Sequence, residues 1–244
     1  MKRTLLLFLL LSALTASKPA SADDVVPQVW ADYHGHFYLA KYWEFYGDGG
    51  ARYQWQHPKW VAGYIRPAIR LHSPLGRPEE ARGGLGVFYN ANEDASNTLE
   101  VRPWLGALLR WPRIGFITLS SYVRLEERIV DTIDEESWNA ATRFRYRIAT
   151  KFPLSREARK QYFFIPCSFE WFFNVGQQVE NVYPDRMRID AGLGYIFSYV
   201  YTAEFHVMLQ TGRYDDTATF APENLIFRFQ IKRLWSAYDY MSQQ

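Results

Sequence analysis

The segment Arg143-Phe-Arg-Tyr-Arg147 sets three guanidinium groups at a spacing of two, with Phe144, Tyr146 and Ile148 between and after them. Successive strand residues point to opposite faces, so these arginines share one face and the apolar residues the other. A helix would scatter them around most of its circumference. The preceding stretch, from Ile114 to Arg128, follows the same rule: Ile117, Leu119, Val123 and Leu125 alternate with Thr118, Ser120, Tyr122, Arg124 and Glu126. The chemistry open to such a face is ion pairing, because the planar guanidinium fork makes bidentate contacts with carboxylates and other oxyanions.

The same parity along the chain assembles a larger polar constellation: Glu100, Arg102, Arg124, Glu126, Arg128, Arg143, Arg145, Arg147, Glu170, Arg186, Arg188, Asp190, Glu204, His206 and Arg228, joined by Arg66, Arg70 and Lys232. Arginine outnumbers carboxylate in this set. One reading is a charge network that fills a narrow barrel, and another is a basic path that favours small anions. A catalytic reading needs a base, a nucleophile or a ligand set. His206 and Glu204 could act as base and orienter, although a histidine paired inside a polar lumen fits the same spacing. His34 and His36 share a strand face and could ligate a metal, but no third ligand is identifiable, and both read as polar residues near an end of the first strand. No nucleophile elbow, zinc-protease helix or phosphate loop is present. Cys167, the single cysteine, has Phe169 and Trp171 on its own face and reads as a packing residue. No catalytic residue, metal or cofactor is therefore expected.

The elements that must carry these residues follow from composition and periodicity. Met1-Lys-Arg3, the apolar run Leu5 to Leu11 and Ala20-Ser-Ala22 read as a cleaved secretory signal peptide, leaving residues 23–244 as one domain. Removing Lys2, Arg3 and Lys18 from 28 basic residues leaves 25 against 26 acidic, a balance that gives no reason to expect a nucleic-acid partner. Aromatic residues make up 18% of the chain, yet no later apolar run approaches the roughly 20 residues of a membrane helix. Alternation with aromatic girdles is instead the signature of a transmembrane β-barrel.

About ten strands are expected: His34 to Tyr46, Trp60 to Leu71, Gly83 to Asn90, Thr98 to Arg110, the two charged strands above, Tyr162 to Gln178, Asp185 to Ser198, Tyr199 to Gly212 and Asn224 to Trp235. Gly47-Asp-Gly-Gly50 reads as a turn, and Leu125 to Ala141, the best helical challenger, reads as two strands around a loop. An even strand number places both termini at one end. On that topology Asp48, Glu93, Asp94, Asp131, Asp134, Glu135, Glu136, Glu180, Asp215, Asp216 and Glu223 lie in outer loops, where divalent cations could link them to lipopolysaccharide. Arg77, Arg82, Arg113, Arg156, Arg159 and Lys160 lie at the other end.

Glu100-Val-Arg-Pro-Trp104, Arg124-Leu-Glu-Glu-Arg128, Arg143-Phe-Arg-Tyr-Arg147, Glu170-Trp-Phe-Phe173 and Arg186-Met-Arg-Ile-Asp-Ala-Gly-Leu-Gly-Tyr195 resemble, in this order, the strand motifs of the bacterial domain-of-unknown-function family numbered 2490. The resemblance implies an outer-membrane barrel and carries no activity. The expectation is a monomeric, antiparallel up-and-down outer-membrane barrel. It would be inserted by the barrel-assembly machinery, surrounded by lipid and lipopolysaccharide, and non-enzymatic. An outer-membrane enzyme acting on lipid or peptide and a soluble periplasmic ligand-binding barrel are the alternatives. A soluble barrel would turn Arg145 and Arg147 outward and its aromatics inward.

Overall fold

The computed structural model describes residues 25–74, 79–113, 117–133, 135, 137–154, 162–175, 185–213 and 220–235. The expected signal peptide lies outside them. Eleven strands run in chain order: β1 (Val26–Ala40), β2 (Trp43–Gln54), β3 (Trp60–His72), β4 (Glu80–Asn92), β5 (Thr98–Arg110), β6 (Leu119–Thr132), β7 (Ser137–Pro153), β8 (Phe163–Val175), β9 (Asp185–Ile196), β10 (Tyr201–Arg213) and β11 (Ala221–Trp235). Each pairs antiparallel with its neighbour in sequence, and the sheet closes into a barrel through β1 and β11. An odd count forces that last pair to be parallel, in register from Val26 opposite Asn224 to Phe37 opposite Trp235.

The expected ten strands become eleven at the first one. His34 to Tyr46 is a hairpin that turns at Lys41-Tyr42, and the Gly47-Asp-Gly-Gly50 cluster lies inside β2. Within this cluster Gly50 serves close approach. A Cβ on Gly50 would stand 2.3 Å from the Ala31 carbonyl oxygen and 2.5 Å from Asp32 Oδ1. Asp48, expected in an outer loop, consequently points inward and accepts from Arg66 Nε at 3.0 Å. The termini of the sheet fall at opposite ends, because β1 and β11 run the same way.

Pro67, Pro103 and Pro166 sit in mid-strand without ending β3, β5 and β8. The ladder between β3 and β4 skips from Ile65 to Ala68, that between β5 and β6 from Val101 to Trp104, and that between β8 and β9 from Phe164 to Cys167. Each gap contains a proline, which has no N–H to give the ladder. At the β10–β11 shift Gln210 pairs with Asn224 and Thr211 with Pro222, so Glu223 is the extra residue of a bulge. Expected in a loop, Glu223 instead lies 3.3 Å from Arg186 on β9.

The faces divide by parity. Leu105 is 71% exposed on the outside, as are Ile65, Ile69, Leu125, Ile189, Leu193, Phe229 and Ile231 at roughly half exposure, while Glu44, Glu126 and Glu170 are at most 3% exposed on the inside. Trp30, Met208 and Ile226 form a small apolar cluster within the barrel, and elsewhere buried aromatics such as Tyr64, Phe88, Trp104 and Phe172 are interleaved with charged side chains.

Candidate lumen charge network

Parity along the strands turns the fifteen residues of the polar constellation to the interior, and registry between strands decides who meets whom. Glu100 on β5 accepts from Arg102 Nε at 2.6 Å and from Arg128 Nη2 on β6 at 3.1 Å. Glu126 pairs with Arg124 at 2.8 Å and also with Arg143 on β7. Glu170 on β8 pairs with Arg145 and, at 3.2 Å, with Arg188 on β9. Arg186 pairs with Glu223. Each of the first three carboxylates is thus held by two guanidiniums, and a carboxylate has the four lone-pair sites to accept them.

Aromatic rings fill the spaces between these pairs. Arg124 lies 4.1 Å from the Trp104 ring centre, Arg102 3.8 Å from Phe88, and Arg143, Arg145 and Arg188 between 5.0 and 5.3 Å from Phe172. The cation is attracted by the ring face, an interaction that strengthens away from water. A second group gathers toward the β1–β2 turn. There Glu44 accepts from His36 at 2.6 Å, His72 at 2.9 Å and Arg70 at 3.0 Å, and Glu80 accepts from Arg82 Nε at 2.9 Å and Arg110 at 3.0 Å. Asp32 on β1 accepts from Tyr64 on β3 at 2.5 Å, and across the β1–β11 seam Asp32 pairs with Arg228 and His34 meets Gln230. Of the two histidines considered as ligands, His36 is on Glu44 and His34 on Gln230. Among the described residues no cluster of three histidine, cysteine or acidic side chains is arranged to hold a metal.

His206 shows what the arrangement offers chemically. Its Nδ1 bonds Asp190 at 2.8 Å and its Nε2 bonds Glu204 at 3.0 Å. With a carboxylate on each side, both ring nitrogens are engaged, and neither is directed at a hydroxyl. Ser168 is near but donates to Asp190, at 3.1 Å. Glu204 also takes Lys232 at 2.8 Å and Lys151 at 3.2 Å. The result is an ion cluster in which His206 bridges two acids, unlike the order of a nucleophile, base and orienter. Arg147 is only loosely engaged, 3.9 Å from Asp190.

Several members of the network were absent from the sequence-based set: Asp32, Glu44, Asp48, Arg52, Glu80 and Arg82. The first strand's misplaced turn concealed four of them, since parity cannot be followed across a false break. Lys151 continues the Arg143 to Arg147 parity by two further steps of two and was legible on that signal.

The fold and the interior define a closed all-β barrel with a charged lumen. The chain belongs to the family described as protein of unknown function DUF2490, whose model matches residues 27–221. No curated protein matches the sequence. Among solved structures an anion-selective porin from Comamonas acidovorans is similar, at 12% identity and a TM-score of 0.35. That likeness covers 79% of this chain and 55% of the porin chain, and it is too slight to bear on fold or function.

Proposed function

We propose that the chain is a monomeric outer-membrane β-barrel of non-enzymatic role, exported by a cleaved signal peptide, whose arginine-rich lumen passes nothing larger than small anions. The observation that carries this reading is the inversion of a soluble protein's faces. Large apolar side chains cover the outer wall while the charged ones are enclosed. The outward aromatics lie mainly toward the strand ends: Trp43, Trp111, Tyr162, Tyr199 and Tyr201 at one, Tyr53, Trp55 and Trp138 at the other. Aliphatic residues such as Ile65, Leu105 and Leu125 occupy the band between, as in a barrel anchored at two interfaces. A soluble ligand-binding barrel would present the opposite arrangement. The capping of both His206 nitrogens weighs against the enzyme reading.

The excess of guanidinium over carboxylate gives any open path a positive wall, which favours anions. Conductance of the refolded protein in a planar bilayer tests the proposal. A small current is expected, with a reversal potential in a salt gradient on the anion side. A large non-selective or cation-preferring current overturns it, as does a protein that stays in the aqueous phase when mixed with lipid vesicles.

A further inference from the structure

Arg52 on β2 stands apart from the other lumen arginines. Among the described residues it has neither a hydrogen-bond acceptor nor a carboxylate at ion-pair distance. Its guanidinium carbon lies 4.1 Å from the Trp30 ring centre, 4.7 Å from Tyr64 and 5.6 Å from Phe88. Ring faces attract a cation but accept none of the in-plane N–H bonds that give the guanidinium fork its directionality. The Nε of Arg52 is shielded from solvent and has no partner. Arg70, Arg124, Arg147, Arg186 and Arg188 also carry a shielded Nε without a partner, but each of them has a carboxylate at ion-pair distance, so it is the missing counter-charge at Arg52 that points to an acceptor from outside the chain.

Arg188 supplies a second arm. Its Nη1 reaches Glu170 at 3.2 Å and its Nη2 reaches Gln210 at 2.6 Å, while its Nε is shielded and unpartnered like that of Arg52. It lies 5.2 Å from the same Trp30 ring, so the two guanidinium carbons are within about 9 Å of each other. In the ladder Trp30 is flanked by Arg52 on β2 and Arg228 on β11. The nearby carboxylates are already taken, Asp32 by Arg228 and Tyr64 and Glu170 by Arg145 and Arg188. Positive charge is therefore in local excess around Trp30, whose ring both of these guanidiniums contact.

We propose that the lumen binds a small oxyanion of the sulfate, phosphate or carboxylate class between Arg52 and Arg188, beside Trp30. The bound anion gives Arg52 the counter-charge that Glu100, Glu126 and Glu170 give its neighbours. The planar fork bonds two oxygens of an oxyanion at once, whereas chloride offers no such pair, so the site discriminates by shape as well as charge. This inference rests on the reading of the charged face as a barrel lumen, but it requires binding and not conduction.

Calorimetric titration of the refolded full chain in detergent tests it, with sodium sulfate, phosphate and acetate compared against sodium chloride at equal ionic strength. At least one oxyanion is expected to bind saturably and chloride not to. Arg52→Gln and Arg188→Gln should each weaken that binding tenfold or more, and Arg52→Lys, which keeps the charge and loses the fork, should fall between. The oxyanion should also raise the unfolding temperature of the wild type and leave that of Arg52→Gln unchanged. Absence of saturable oxyanion binding by the folded wild type, or equal binding by the wild type and both glutamine variants, overturns the proposal. If Arg52→Gln does not fold, Arg188→Lys provides the comparison. Binding without current would refute the conducting path and leave this site standing, and current without binding would do the reverse.

Discussion

The Glu126 cluster and the Arg52 cage place the same side chain in the same lumen under opposite conditions. Arg124 and Arg143 converge on a carboxylate that is 1% exposed, so the chain itself supplies them with a shared counter-charge. Arg52 meets three aromatic faces and no acid. The difference shows that this interior is not uniformly neutralised. Where carboxylates are paired twice over, the network fixes strands to one another. Beside Trp30 it leaves a guanidinium without an acid, where the proposed oxyanion would bind.

Substitutions can break this contrast. The largest effect is expected from Glu126→Gln, which leaves two guanidiniums enclosed without their acid. Removing one partner of a buried pair costs about 3–5 kcal/mol, so denaturant unfolding in detergent should show a loss of that order. A smaller loss is expected on the outer wall. Leu105→Arg puts a charge on a residue 71% exposed on the apolar face, at a cost of about 2–4 kcal/mol if the site lies near mid-membrane. Its signature is that the penalty appears for folding into bilayers and shrinks in a soluble or detergent-exposed state. An equal penalty in both media would contradict membrane burial of that face. The smallest effect belongs to Arg52→Gln in oxyanion-free buffer. Lost cation–π attraction and relief of an unbalanced charge oppose each other, and the stability should stay within about 1 kcal/mol of the wild type. A loss as large as that of Glu126→Gln would erase the distinction between the two regions.

Much of the inner wall was readable because a strand has a period of two. Arg143, Arg145 and Arg147 declare their face without any knowledge of their neighbours, and so do Arg186, Arg188 and Asp190. The turn at Lys41-Tyr42 was not readable, because neither residue is a glycine or proline and aromatics continue on both sides of it. The Gly47 to Gly50 run misled for the complementary reason. Glycine marks turns and tight backbone approach alike, and here Gly50 packs against Ala31 and Asp32. One misplaced turn changed the strand count from ten to eleven. It thereby moved the termini to opposite ends and hid Asp32, Glu44, Asp48 and Arg52 from the expected network.

Side-chain parity, a local property of the backbone, assigned charge to one face and apolar surface to the other before any contact was known. Partner choice is a property of register. Glu126 meets Arg143 because β6 and β7 pair with those residues opposite each other, and Asp32 meets Arg228 only because β1 closes parallel on β11 two residues out of step with that pair. Those alignments depend on strand number and on how far neighbouring strands are offset when the sheet closes. Closure is a condition on the whole sheet at once, which is why the arginine left to aromatic faces at position 52 emerged with the barrel and not with the alternation.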